Sequence, residues 1–350
     1  MNRYPFFSIF FTTLFFIIIS GCFPGSSQAG LTRQTTLTRR TMGTFYKIKY
    51  ISGMKNAKAA WKEKVETRLK EINRRLSMYD KKSELSRFNR SQDRQFGPVS
   101  PDFFRMIETG ARLYKMTDGA WDGTIKPLVD LWGFGTGREQ GDRPAPETVS
   151  RILARTGFGR IHITDTRQIT RDLAVSLDFG SIAKGYGVDE IARLFTSAGI
   201  KNVLVEIGGE LYGAGRNKKD KAWAVGISRP DKTFAKQTLY KVVRLDNQAI
   251  ATSGNYRNFY EKDGRTYSHI IDPATGYPVQ NRIVSASVIS DSCTFADGLA
   301  TALMVMDVKD GIALVNSLEG TECLIVQRID GKFMDHVSKG FGSLTVSAHP

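Results

Sequence analysis

The chain is poor in the side chains that build metal clusters: of 350 residues only three are cysteine and four histidine. No Cys-x-x-Cys and no His-x-x-x-His occurs, so zinc and iron–sulfur chemistry have little support, and any metal is expected to be oxygen-bound. Cys293 and Cys323, the two cysteines of the body, could pair in an oxidising compartment, but two cysteines do not make a disulfide scaffold. No Gly-Lys-Ser/Thr closes a phosphate loop, and no Gly-x-Gly-x-x-Gly follows a strand-like run, which argues against Walker and Rossmann sites. An internal repeat is also lacking. So is any recognisable nucleic-acid module, because the basic residues are scattered. The net charge of +15 therefore points to smaller anionic partners, to solubility or to a lipid surface rather than to nucleic acid.

The first residues read as a leader. Arg3 precedes an apolar run from Phe6 to Ile19, too short for a comfortable membrane span and shaped like a signal-peptide core. It ends in Ile19-Ser20-Gly21-Cys22, which resembles the lipobox of bacterial lipoproteins, cut ahead of a cysteine that is then acylated. An ordinary secretory signal with an incidental cysteine is the plainer alternative. Three segments are expected: a signal peptide over 1–21, a flexible tether over 22–40 without periodic apolar residues, and a catalytic body over 41–350. Losing the leader removes one cation and leaves about +14.

The body alternates between helical and strand periods. Thr44 to Ile51 reads as a strand, and Trp61, Val65, Leu69, Ile72 and Leu76 mark one helix face. Ser100-Pro101 caps a second helix, expected to bury Phe104, Ile107, Ala111 and Tyr114. Residues 136–148 are polar and rich in Gly and Pro, a surface excursion. From Val175 the order is strand, glycine turn, helix, the turn offering N–H groups to a phosphate. Strand-like runs follow at 201–206, 222–228, 238–245, 249–252, 257–261, 265–271 and 282–290, with a last helix from Thr294 to Met306. A strand-rich centre flanked by helices implies an α+β, mixed α/β layered domain.

Six residues carry candidate chemistry. Asp297 and Thr301 lie four apart on a helix and could hold one magnesium ion between a carboxylate and a hydroxyl; equally, Thr294-x-x-Asp297 fits a capping box. Lys184 and Asp178 flank the glycine turn, either to meet a phosphate and a base or as a surface ion pair. His269 follows a strand just before the Asp272-Pro273 turn, where it is either a general base or a structural histidine. Asp272 on its own is a good turn initiator.

Taken in order, Thr41-Met-Gly-Thr44, Ser77-Met-Tyr79, Asp118-Gly-Ala-Trp-Asp-Gly-Thr124, Leu177-Asp-Phe-Gly-Ser-Ile-Ala-Lys-Gly-Tyr186, Glu206-Ile-Gly-Gly209, Ala251-Thr-Ser-Gly-Asn-Tyr-Arg257, Ser268-His-Ile-Ile-Asp-Pro-Ala-Thr-Gly276 and Ala296-Asp-Gly-Leu-Ala-Thr301 closely resemble the FAD:protein FMN transferases, the ApbE family. The resemblance covers the chain from Thr41 onward. It implies an ApbE-like fold and a magnesium-dependent transfer of FMN from FAD to a threonine hydroxyl of an exported protein, releasing AMP. It further implies that Met42, Tyr79, Ala120, Trp121, Asp122, Asp178, Lys184 and Ile271 line the FAD pocket. Asp297, Thr301 and the Ser181 carbonyl would hold magnesium, while Ala300 stands where some relatives carry an aspartate. His269 is the candidate base or phosphate contact, with Asp272 orienting it or taking the proton. The implied acceptors are membrane redox subunits or secreted flavoproteins, and the implied location is the periplasmic side of a membrane, anchored at Cys22. An FAD pyrophosphatase and a passive flavin-binding lipoprotein are the alternatives.

Overall fold

The computed structural model describes residues 33–53, 57–135, 143–164, 167–172, 175–231, 238–256, 258–262 and 264–346. The leader, Cys22, part of the 136–148 excursion and Arg257 lie outside them. An eight-stranded antiparallel sheet forms the centre, in the order Arg33–Thr41, Thr44–Ser52, Val203–Ile207, Glu210–Ala214, Gln248–Gly254, Ile283–Ser290, Glu322–Ile329, Lys332–Val337. Its central strands are apolar on both faces because both are covered. Val203, Val205, Ala249, Ala251, Val288, Cys323 and Ile325 face the main core, shared with the helices Ala57–Leu76, Pro101–Met116, Ala183–Thr196 and Cys293–Val305. The alternate residues Leu204, Ile250, Ile289, Leu324 and Val326 face a second core beneath a small sheet that includes Trp223–Ser228 and Leu239–Leu245. Side chains that alternate across a strand thus serve two layers, the mixed layered class expected.

Helix signals in the sequence translate closely. The Ala57–Leu76 helix buries Trp61, Val65, Leu69, Ile72 and Leu76. Ser100 caps the Pro101–Met116 helix by accepting from the Phe103 N–H at 3.3 Å. Its buried face is Phe103, Met106, Ile107, Gly110 and Leu113, about one position from the face expected on Phe104, Ala111 and Tyr114. The shift arises because Gly110 lets the helix approach Phe158 and Trp121. Those apolar contacts outweigh the more even spacing of the neighbouring set.

Five expectations are corrected. Residues 33–40 do not form a tether but an edge strand, paired residue for residue with Thr44–Ser52. Only Leu37 points into the core, so ladder hydrogen bonds rather than apolar periodicity hold this strand. Val175–Asp178 is not a strand: the Asn89 side chain takes the Leu177 N–H at 2.7 Å and gives to the Leu177 carbonyl at 2.8 Å, standing in for a neighbouring strand. The 265–271 run ends as a strand at Ser268, and a helix, Pro146–Leu153, begins inside the expected 136–148 excursion. The helix over Cys293–Val305 is not the last, since the helices Val308–Asn316 and Phe341–Leu344 and three strands follow. Cys293 and Cys323 are both free and buried.

A third, small core sits beside the site. The hairpin Phe259–Lys262 and Arg265–Ser268 packs Tyr267 against Trp132, with ring centroids 5.7 Å apart. The Trp132 indole N–H donates to the Gly276 carbonyl at 2.8 Å and pins the Asp272–Gly276 turn.

Candidate active site

A cavity of about 360 Å³ opens where the Ala183–Thr196 and Cys293–Val305 helices meet the sheet and the hairpin. Ala120, Trp121, Asp122, Asp178, Ser181, Lys184, His269, Ile271, Asp297 and Thr301 all line it, with Tyr79 at the mouth. Ten residues scattered over nearly 200 positions of chain therefore meet, as expected. Met42 is not among the lining residues; it packs on the core behind the Ala183–Thr196 helix, against Gly187.

The acidic corner is built by two helices in unusually close contact. Gly185 makes this possible: a Cβ there would lie 2.7 Å from the Cys293 carbonyl carbon and 2.9 Å from Thr294 Cα. The Gly185 N–H donates to Asp297 Oδ2 at 3.0 Å instead of to the Ser181 carbonyl, its regular helical partner four residues back. Asp189, one turn further along the same helix, fastens the second helix start: it accepts from the Cys293 and Thr294 N–H groups at 2.7 and 2.9 Å and from the Thr294 and Ser292 hydroxyls at 2.6 and 2.9 Å. The capping-box reading of Thr294 and Asp297 is thereby excluded. Ser292 is the N-cap, and Asp297 faces the cavity.

Asp297 is only 3% exposed, and burial pushes its carboxyl up to about 7, with Lys184 opposing and Glu210 reinforcing the rise. Thr301 hydrogen-bonds to the Ser253 hydroxyl at 2.9 Å. Lys184 does not pair with Asp178. Its ammonium donates to Glu210 Oε1 at 2.6 Å and stands 3.8 Å from Asp297 Oδ1. The other Glu210 oxygen is buried without a hydrogen-bond partner. Sequence reasoning missed Glu210 as a site residue, although it closes the Ile207-Gly-Gly-Glu210 bend; Gly208 and Gly209, at φ of +67° and +109°, turn the chain so that Glu210 meets Lys184.

The wall opposite is made of closed turns. Asp178 Oδ1 accepts the Gly180 N–H at 2.6 Å, and burial raises its carboxyl above the usual range. Asp122 Oδ1 accepts from the Thr124 N–H and hydroxyl, both at 2.7 Å, and burial raises it likewise. Trp121 lies in the core against Phe158 and donates to the Ser181 hydroxyl at 3.0 Å, so it supports the Ser181 turn rather than offering an open stacking face. Tyr79, 80% exposed, is the free aromatic ring at the mouth.

His269 is oriented by backbone. Its Nδ1 lies 2.9 Å from the Asn258 carbonyl and so carries the proton, which leaves Nε2 as the acceptor. Burial holds its pKa below the ordinary histidine value, the Asn258 contact opposing and Lys184 assisting. Asp272 does not orient it: the carboxylate accepts from the Ala274 N–H at 2.8 Å and the Thr275 hydroxyl at 3.1 Å, within its own turn. Asp272 instead lines an adjoining groove on the far side of Ala120 and Asp122. Its turn-initiator reading is the one the geometry favours.

Among the described residues no cluster of three or more His, Cys, Asp or Glu stands ready for a metal, and no helix is long and apolar enough to cross a membrane.

Comparisons with known proteins place the chain in a family. The ApbE family model matches residues 42–325. A curated FAD:protein FMN transferase of Vibrio cholerae is 38% identical over 328 residues, covering 93% of this chain and 95% of its own. That of Escherichia coli K12 is 35% identical over 340 residues, 95% of each. The solved flavin transferase ApbE from Vibrio cholerae superposes with a TM-score of 0.81 at 37% identity, over 89% of this chain and 99% of that one. The ApbE protein of Thermotoga maritima does so with 0.78 at 28% identity, over 90% and 100%.

Proposed function

The chain belongs to the ApbE family and is an FAD:protein FMN transferase, and from that premise we propose that it works with magnesium, joins FMN to a threonine hydroxyl of an exported protein and releases AMP. The observation that carries this reading is the corner where buried Asp297 and the Thr301 hydroxyl face the same cavity as the free Nε2 side of His269. The donor set suits a hard cation: the Asp297 carboxylate, the Thr301 hydroxyl, and a Ser181 carbonyl that the Gly185 N–H does not use. Glu210 adds a buried carboxylate oxygen with no partner. Ala300 is buried and offers no side-chain ligand. Magnesium bound there would offset pyrophosphate charge and ease the departure of AMP.

The protein's own residues supply the rest. Tyr79 gives the flavin ring an exposed aromatic face, and the Ala120–Asp122 and Asp178–Ser181 turns wall off the nucleotide. The threonine oxygen bonds to the phosphorus of the FMN half while the phosphorus–oxygen bond to AMP breaks, its electron pair leaving with AMP. The hydroxyl proton goes to His269 Nε2, which burial keeps neutral and receptive. An acylated Cys22 on the periplasmic side of a membrane would keep this site near membrane redox subunits or secreted flavoproteins as acceptors.

Incubating the protein with FAD, Mg²⁺ and a threonine-bearing acceptor domain tests the proposal. Covalent flavin on the acceptor with one AMP per flavin is expected. Free FMN and AMP would make it a pyrophosphatase, and unchanged bound FAD a passive carrier.

A further inference from the structure

We propose that Lys184 is the resident cation of this site: its ammonium, held between Glu210 and Asp297, competes with a divalent cation for the Asp297 carboxylate and yields when nucleotide phosphate arrives. The inference rests on the transferase reading and adds an order to its binding steps.

Three features of the corner carry it. Asp297 Oδ2 already accepts from the Gly185 N–H, and Oδ1 lies toward the lysine at 3.8 Å. A metal taking Oδ1 would therefore sit beside the ammonium. Glu210 is the second buried carboxylate, 2.6 Å from the ammonium through Oε1, with Oε2 buried and unpartnered. With both carboxylates ionised, as metal binding requires, two carboxylates and one lysine give the corner a net single negative charge; without the lysine it would carry two. Gly208 makes room for the lysine stem, since a Cβ there would lie 3.1 Å from Lys184 Cδ. The 2.6 Å bond to Glu210 holds the ammonium near the acids.

Two cations at a few ångströms repel strongly when partly buried. Metal binding to the flavin-free protein is then weakened by Lys184. Phosphate, by pairing with the ammonium, removes that opposition. Linkage requires the effect to be mutual, so metal entry frees Lys184 to meet phosphate by the same factor. An ion pair that merely braces the fold predicts the opposite sign: removing Lys184 would loosen the corner and weaken metal binding.

Calorimetric titration with Mg²⁺ alone, in the absence of flavin, separates the two. Lys184→Met should bind Mg²⁺ about tenfold tighter than the wild type, and Lys184→Arg, which keeps the charge, should stay within about twofold. FAD titrated in the presence of a chelator should bind Lys184→Met more weakly than the wild type. Equal or weaker Mg²⁺ binding by Lys184→Met, or equal shifts in both variants, overturns the proposal. Should Lys184→Met not fold by circular dichroism, Lys184→Gln carries the same test and the same expected sign. A wild type that transfers FMN while Lys184→Met gains no Mg²⁺ affinity refutes the competition alone. A wild type that forms no covalent flavin refutes the transferase details instead.

Discussion

Gly185→Ala adds one methyl group at the tightest point of the site. That methyl would lie 2.7 Å from the Cys293 carbonyl carbon and 2.9 Å from Thr294 Cα, inside the 3.0 Å that real Cβ contacts respect. The obstructing atoms are backbone at a helix start that Asp189 holds by four hydrogen bonds, so no rotamer change relieves the clash. The helices must part. Overpacking of this kind costs about 1–3 kcal/mol, and alanine's better helix propensity returns about 0.5–1 kcal/mol. Separation also lengthens the 3.0 Å bond from the Gly185 N–H to Asp297, and a buried carboxylate deprived of a donor adds about 1–3 kcal/mol. Urea denaturation should therefore show a loss of about 1–5 kcal/mol at unchanged m-value. Mg²⁺ affinity with FAD present should fall together with it. A variant as stable as the wild type, with unchanged Mg²⁺ affinity, would refute the claim that this contact places Asp297.

Three other outcomes follow from the geometry. His269→Ala should lose FMN transfer while FAD affinity, read by flavin fluorescence, stays within a few-fold, because the proposed role sets the histidine at the reacting atoms rather than at the ring. Since burial lowers the His269 pKa beneath 6.5, the unfolded chain binds the proton first as pH falls; stability should drop as pH passes down through 6.5, and the His269-dependent limb of the transfer profile should lie below that value. Arg171→Met should cost about 3 kcal/mol or more in thermal or urea unfolding, because the buried guanidinium donates to the carbonyls of Phe88, Ser91, Asp93 and Val175 and ties down the segment leading to Asp178.

Legibility in the sequence followed physical cause. Helices with apolar stripes and Ser-Pro caps were readable because local chemistry alone defines them, as at Ser100. The edge strand Arg33–Thr41 was not, because one face meets water and its stability comes from hairpin pairing with Thr44–Ser52 rather than from an apolar pattern of its own. Val175–Asp178 failed for the converse reason: its apolar run fits a strand, yet a side chain, Asn89, supplies the hydrogen bonds. At the site, Asp297, Thr301 and His269 could be named from motifs. Their partners could not. Glu210, Ser253 and the Asn258 carbonyl come from strands and turns whose meeting depends on sheet order, and Lys184 pairs from its helix with the strand residue Glu210 instead of with the nearby Asp178.

The most direct measurement is of AMP released and flavin bound per acceptor threonine, by chromatography and tandem mass spectrometry, for the wild type and Asp297→Asn in Mg²⁺ and in chelator. The wild type should release one AMP for each flavinylated threonine in Mg²⁺ only, and Asp297→Asn should lose at least about 100-fold in rate. Undiminished transfer by Asp297→Asn, or transfer by the wild type in chelator, would contradict the role given to this corner.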